Sequence, residues 1–165
     1  NPVKFFQNLK DVVIFTFSTS SSSASIPFTL KAAEEKYGID RSISTFTVPL
    51  GATINMDGTA IMQGCATFFL ASLYGIDLGI NEIVTIVITA TIASIGTAGI
   101  PSAGIVMLTV IFTQIGIPLE GITLLLGVDR LLDMMRTSVN VSGDLCISCV
   151  IASSEKKINK ELFNS

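Results

Sequence analysis

Apolar runs in this chain come in half-lengths, separated by clusters of small residues. Residues 12–17 are apolar, a serine-rich run at 18–25 interrupts them, and Ile26-Pro27 restarts the pattern. The apolar run around 84–95 stops at Gly96-Thr97-Ala98-Gly99 and restarts at Ile100-Pro101, continuing to about 116. A helix that crosses a bilayer needs about 20 apolar residues, and neither half reaches that alone. Each pair of halves predicts a re-entrant helical hairpin, entering and leaving a membrane on one side. Pro near the start of the second arm fits, because its missing N–H costs little there. Backbone exposed at membrane depth is tolerated only against protein or a wet cavity.

A longer apolar stretch follows each hairpin. The first is broken at Thr53-Ile54-Asn55-Met56-Asp57-Gly58-Thr59, and the second is continuous but polar on one face. The predicted organisation is a first hairpin at 1–38, a broken span at 41–75, a second hairpin at 80–116, a polar span at 118–152 and a cytoplasmic tail at 153–165. Pro27 precedes Asp57 by 30 residues and Pro101 precedes Asp133 by 32, so the halves echo each other. The expected fold is an all-α integral membrane protein, with two re-entrant helical hairpins and two spanning helices, one broken, in an inverted-repeat arrangement. Paired Gly/Pro-interrupted segments in matching positions point to a binding site at the midplane.

The polar face of the last span carries the chemistry. Asp129, Asp133, Arg136, Asn140 and Asp144 fall within an arc of roughly 80° on an α-helix. Charge inside an apolar span is costly and is kept mainly where it lines a pathway or binds something. That stripe predicts a binding site.

Composition agrees. Charged residues make up 14% of the chain, against about 25% in soluble domains, and no Lys or Arg lies between Arg41 and Arg130. A net charge of −3 without a basic patch argues against nucleic acid. No nucleophile–base pair or phosphate loop supports an enzyme. Cys65, Cys146 and Cys149 lack histidines to complete a metal set, and the expectation is packing. The basic residues gather at Lys4 and Lys10, at Lys31, Lys36 and Arg41, and at Lys156, Lys157 and Lys160. The positive-inside rule therefore places both termini in the cytoplasm of a multi-pass protein of the cell membrane.

These residues resemble a known family. Ser20 to Ser23, the run from Pro49 to Thr59, the run from Ala93 to Pro101 and the run from Asp133 to Asp144 are similar to the dicarboxylate/amino acid:cation symporters, the glutamate/aspartate transporter family. The resemblance runs through the whole chain in order. It implies the carboxyl-terminal core of a transport domain, with the span at 41–75 as the seventh and that at 118–152 as the eighth. The six preceding spans would be missing partners, and the full-length carrier a homotrimer in a lipid bilayer.

The resemblance further implies symport of an acidic amino acid with sodium by alternating access, with sodium as coupling ion and no organic cofactor. Arg136 would fork the side-chain carboxylate, Asp133 would take the ammonium, and Thr137 and Asn140 would add hydrogen bonds. Tip amides near Ser22 and Gly99 would hold the α-carboxylate, and Thr59 would complete the pocket. Asp144 with carbonyls of Gly51, Asn55 and Asn140 would form one sodium site. Carbonyls of Thr53, Ser94, Ile95 and Thr97 would form a second. Asp57 with Asn55 would anchor a third, completed by an upstream span.

Two departures accompany the match. Family members commonly carry an arginine in the first serine tip or directly after the aspartate matching Asp133. Here Ser20 and Met134 hold those positions, and Arg130 is the candidate substitute. The Asp133/Arg136 pair favours an acidic amino acid over a plain dicarboxylate, which has no ammonium. Alternative readings are a truncated or split carrier inactive alone, a proton-coupled dicarboxylate or neutral amino acid carrier, and an ion-conducting pore.

Overall fold

The computed structural model describes residues 2–164, which are helical apart from turns and one isolated bridge between Ile39 and Ile158. Helices α1 (Pro2–Thr19) and α2 (Ser22–Glu35) pack together and meet at a tip of two residues, Ser20 and Ser21. That tip is shorter than the serine run. Ser21, extended at φ −141°, accepts the Ala24 N–H at 3.1 Å and so starts α2 early. Pro27 consequently falls inside α2, beyond its first turn, and removes the donor that the Ser23 carbonyl would otherwise receive.

The broken stretch is α3 (Arg41–Ile54) and α4 (Asp57–Leu73), with only Asn55 and Met56 out of helical conformation. Asp40 starts α3 by accepting the Ser42 N–H at 2.8 Å. The Ser42 hydroxyl, then its amide, holds the Asp40 carboxyl below the ordinary carboxylate range. The cap therefore contributes fully above the ordinary carboxylate pKa of about 4 and fades as pH falls through its lowered value.

The second hairpin consists of α5 (Ile80–Ile95), a tip at 96–102, a short α6 (Ala103–Val106) and α7 (Leu108–Ile115). Pro101 lies in this tip, before α6 begins. Helix α7 ends at Gly116, whose φ of +78° suits only glycine without cost. A 3-10 turn (Leu119–Gly121) leads into α8 (Ile122–Ser154), 33 residues long.

Among the described residues no helix is both long and apolar enough to cross a membrane. Helices α3 and α4 have 14 and 17 residues, about 21 and 26 Å at the helical rise. Helix α8 has the length, but its charged stripe breaks the apolar run. That helix is amphipathic inside-out: Asp129, Asp133, Arg136, Asn140 and Asp144 are buried, while Leu124, Leu126, Val128, Leu131, Met135 and Val139 face outward.

The apolar core is in two pieces, one at each end of α8. Leu9, Val12, Ala33, Tyr37, Val48, Val141 and Leu145 join the first hairpin, α3 and the later half of α8. Leu70, Ala90, Leu108, Ile111, Phe112 and Leu125 join α4, the second hairpin and the earlier half. A polar layer lies between them, with Thr16, Ser25, Thr59, Gln63 and the α8 stripe all buried.

Residues after α8 fold back onto the first hairpin. Asp40 N–H donates to the Lys157 carbonyl at 3.0 Å, and Asn159 N–H donates to the Gly38 carbonyl at 2.7 Å. Helix α9 (Lys160–Asn164) then brings the Phe163 ring to 6.0 Å from that of Tyr37. Phe163→Ala should therefore lower the stability of the full-length protein by about 1–2 kcal/mol, the value of a partly buried aromatic contact. A thermal melt in detergent measures this, and an unchanged midpoint would rule the docking out.

Candidate functional site

The polar layer closes around one small cleft. It is lined from the first tip by Ser20 and Ser22, and from the second by Thr97, Ala98, Gly99 and Ile100. Met56 and Thr59 line it from the α4 break, Gly104 from α6, and Asp133, Arg136, Thr137 and Asn140 from α8. Its free volume is about 10 Å³, room for about one water.

Asp133 organises the α8 side. One carboxylate oxygen accepts Arg136 Nε–H at 2.8 Å, and the other accepts the Ser102 backbone N–H at 2.7 Å. Arg136 Nη1 also lies 3.6 Å from Asp129. Two carboxylates and one guanidinium leave this dry cluster at −1. Arg136 is 5% exposed, and its Nη2 has no hydrogen-bond partner among the described residues. Ser20 Oγ, another lining atom's neighbour, is equally unpartnered. An unpaired guanidinium N–H in a dry site costs about 1–3 kcal/mol or more, so the cleft presents a donor for an incoming acceptor to meet.

Asn140 holds the broken helix open from outside it. Gly58 N–H donates to Asn140 Oδ1 at 2.8 Å, satisfying a donor that the first turn of α4 leaves orphaned. That bond orients the amide, so Nδ2 faces Thr59 Oγ1 at 3.2 Å and Met56 Sδ at 3.2 Å. One turn on, Asn55 Nδ2 donates to Asp144 Oδ1 at 2.9 Å and to the Asn140 carbonyl at 3.4 Å. A Cβ on Gly51 would collide with the Asp144 carboxylate, so this close approach requires glycine. Gly51, Asn55, Asn140 and Asp144 thus lie together, with the Asn55 amide between the Asp144 carboxylate and the Asn140 carbonyl.

Of the sequence-derived candidates, Ser22, Thr59, Gly99, Asp133, Arg136, Thr137 and Asn140 all line the single cleft. The set Thr53, Ser94, Ile95 and Thr97 is less gathered. Ser94 and Thr97 are buried, with the Thr97 N–H on the Ser94 carbonyl at 3.1 Å. Thr53 and Ile95 are exposed, and the Thr53 hydroxyl turns back to the Pro49 carbonyl at 3.0 Å. Asp57 is exposed at the start of α4. Arg130 is exposed too, on the outward face of α8, so it does not replace the family arginines. Cys65 and Cys146 are exposed rather than packed, and all three cysteines are free.

Sequence reasoning passed over three contributors. Gln63 is fully buried and donates to the Gly104 carbonyl at 3.1 Å. Its signal was legible, because Thr59, Gln63 and Thr67 recur at the four-residue helical spacing in an apolar helix. Gly104 packs where a Cβ would sit 2.7 Å from Arg136 Nη1, and nothing local marks that approach. Ser102 supplies a backbone group, which no side-chain pattern reveals.

Comparison with known proteins places the chain. The sequence profile of the sodium:dicarboxylate symporter family matches residues 1–154. Mouse excitatory amino acid transporter 3 is 47% identical over 162 residues, covering 98% of this chain and 30% of that protein. Rat excitatory amino acid transporter 1 and human excitatory amino acid transporter 2 are each 49% identical over 144 residues, 87% of this chain. The chain spans 26% and 25% of those two proteins respectively. These relatives are named as transporters, not enzymes. Matched along nearly all its length, the chain belongs to the sodium:dicarboxylate symporter family.

Proposed function

We propose that this chain is the substrate- and ion-binding core of a carrier that moves an acidic amino acid into the cell together with sodium, by alternating access. The observation that carries the reading is the unpartnered Nη2 of buried Arg136 beside Asp133. A ligand bearing both ammonium and carboxylate satisfies both groups, the ammonium at Asp133 and the side-chain carboxylate at Arg136. Thr137, Asn140 and Thr59 supply the remaining polar contacts, and Ser22 and Gly99 of the two tips flank the α-carboxylate. A plain dicarboxylate leaves Asp133 with its negative charge unanswered.

Electrostatics supports coupling to cations. The cluster of Asp129, Asp133 and Arg136 holds two carboxylates against one guanidinium, Asp144 adds another carboxyl group in the same layer, and an acidic amino acid adds a net negative charge. Such an excess in a dry site is strongly unfavourable, and bound sodium offsets it. Asp144 with carbonyls of Gly51, Asn55 and Asn140 forms one sodium site, a reading supported by a buried carboxylate lying beside these residues and by the glycine-only approach at Gly51. Carbonyls of Thr53, Ser94, Ile95 and Thr97 form a second once the second tip adjusts, and Asp57 with Asn55 anchors a third that upstream chain completes.

The apolar outward face of α8 and the half-length hairpin arms suit a bilayer with a scaffold around it. In this reading residues 1–38 and 80–116 are re-entrant hairpins, 41–75 and 118–152 are spans, and the base of the first hairpin with 153–165 is cytoplasmic. The complete carrier is a multi-pass, homotrimeric protein of the cell membrane. The cleft has room for about one water, while aspartate has nine heavy atoms, so a tip must open to admit it.

The test is proteoliposome uptake of labelled aspartate under a sodium gradient, with residues 1–165 alone and joined to a matching six-span amino-terminal half. Saturable, sodium-dependent uptake is expected only for the joined protein. Concentrative uptake by residues 1–165 alone, or uptake by the joined protein that ignores sodium, would overturn the reading.

A further inference from the structure

The two tips differ in how they are held. Ser20 and Ser21 of the first are buried, whereas Ile100, Pro101 and Ser102 of the second are exposed. Across the cleft the second tip is tied by three hydrogen bonds. Ser23 N–H and Ser21 O–H donate to the Gly99 carbonyl at 3.1 and 2.7 Å, and Ser102 N–H donates to Asp133 Oδ2 at 2.7 Å. Ser102 adopts a left-handed backbone, φ +61° and ψ 3°, which a residue with a Cβ occupies only at a cost. Strain of this kind persists where surrounding contacts hold it and clusters at elements that switch. Here the holding contact is the bond to Asp133, made by the same carboxylate that orients Arg136.

We propose that Ser102 is a strained latch, a positioning residue whose left-handed backbone, pinned to Asp133, sets how readily the second tip opens to admit ligand. Closing the tip forms the Asp133 bond and loads the strain; opening breaks the bond and relieves it. The side chain is not what matters, since the bond is a backbone one. Relieving the strain therefore stabilises the closed tip seen here and makes its opening rarer. Rarer opening slows ligand entry. This rests on the substrate reading given above, and the first measurement below is independent of it.

The experiment uses the full-length carrier in lipid nanodiscs, with hydrogen exchange of the 96–103 segment as the first readout. Ser102→Gly keeps the N–H and removes the strain, so exchange should slow by about fivefold. Ser102→Ala keeps both strain and N–H and should match the parent. Asp133→Ala removes the acceptor and should speed exchange whether or not any amino acid binds. In the second readout, aspartate association with Ser102→Gly should slow by about fivefold. Exchange in Ser102→Gly equal to the parent's, or Asp133→Ala leaving the segment as protected as before, overturns the latch. Aspartate association in Ser102→Gly as fast as in the parent overturns it as well. Loss of aspartate binding by the parent itself, with the exchange pattern as expected, sinks the substrate reading and leaves the latch standing.

Discussion

Arg136→Ala or Arg136→Cys in the full-length carrier should reduce affinity for aspartate and glutamate by more than about tenfold, since truncating one partner of a buried charge contact costs about 2–5 kcal/mol. The geometry makes this a specific loss. Arg136 is the buried base of the cleft, its Nε already committed to Asp133 and its Nη2 unpartnered. Removing it also leaves Asp129 and Asp133 buried together without their shared cation, so the empty site becomes more negative and more receptive to an ammonium. Neutral amino acids should therefore bind the variants better relative to acidic ones. Competition of labelled aspartate by serine and by glutamate measures the switch. Acidic substrate affinity that survives the change would remove Arg136 from the pocket.

Asp144→Asn is expected to weaken sodium binding by about tenfold or more and, through reciprocal linkage, to weaken substrate binding by the same factor at fixed sodium. Asp144 is 2% exposed, accepts from Asn55 and lies against Gly51, so in the proposed sodium site its carboxylate would answer a desolvated cation. Raising sodium should restore substrate affinity, which a merely misfolded protein would not show. Gly51→Ala should act in the same direction with the carboxylate intact, because its Cβ displaces that carboxylate. Asp57→Asn should have the smaller effect, Asp57 being exposed at a helix start. Sodium titrations of substrate affinity in each variant provide the check. A parent carrier as active in sodium-free buffer would point to protons as the coupling ion.

Much of this is legible in the sequence. Half-length apolar runs around small residues located the two tips, and the Asn55-Met56 interruption lay within the predicted break. The spacing of Asp129, Asp133, Arg136, Asn140 and Asp144 placed them on one face. These features are local: they depend on helical period and on the cost of charge among apolar side chains, both carried by neighbouring residues.

The tertiary structure decided what lies between segments. Ser18, Thr19, Ser22, Ser23 and Ser25 belong to helices rather than to the tip, because Ser21 caps α2 and the packed neighbours bury Ser22 and Ser25. The break between α3 and α4 is held by Asn140, 82 residues from Gly58 in sequence. Residues 155–164 return to the first hairpin through backbone bonds at Gly38 and Asp40, which no side-chain pattern announces. Arg130 and Arg136 share a helix and a charge, yet one faces outward and the other closes the cleft. Periodicity places a residue on a face, but only the packed neighbours determine whether that face meets solvent, lipid or a carboxylate.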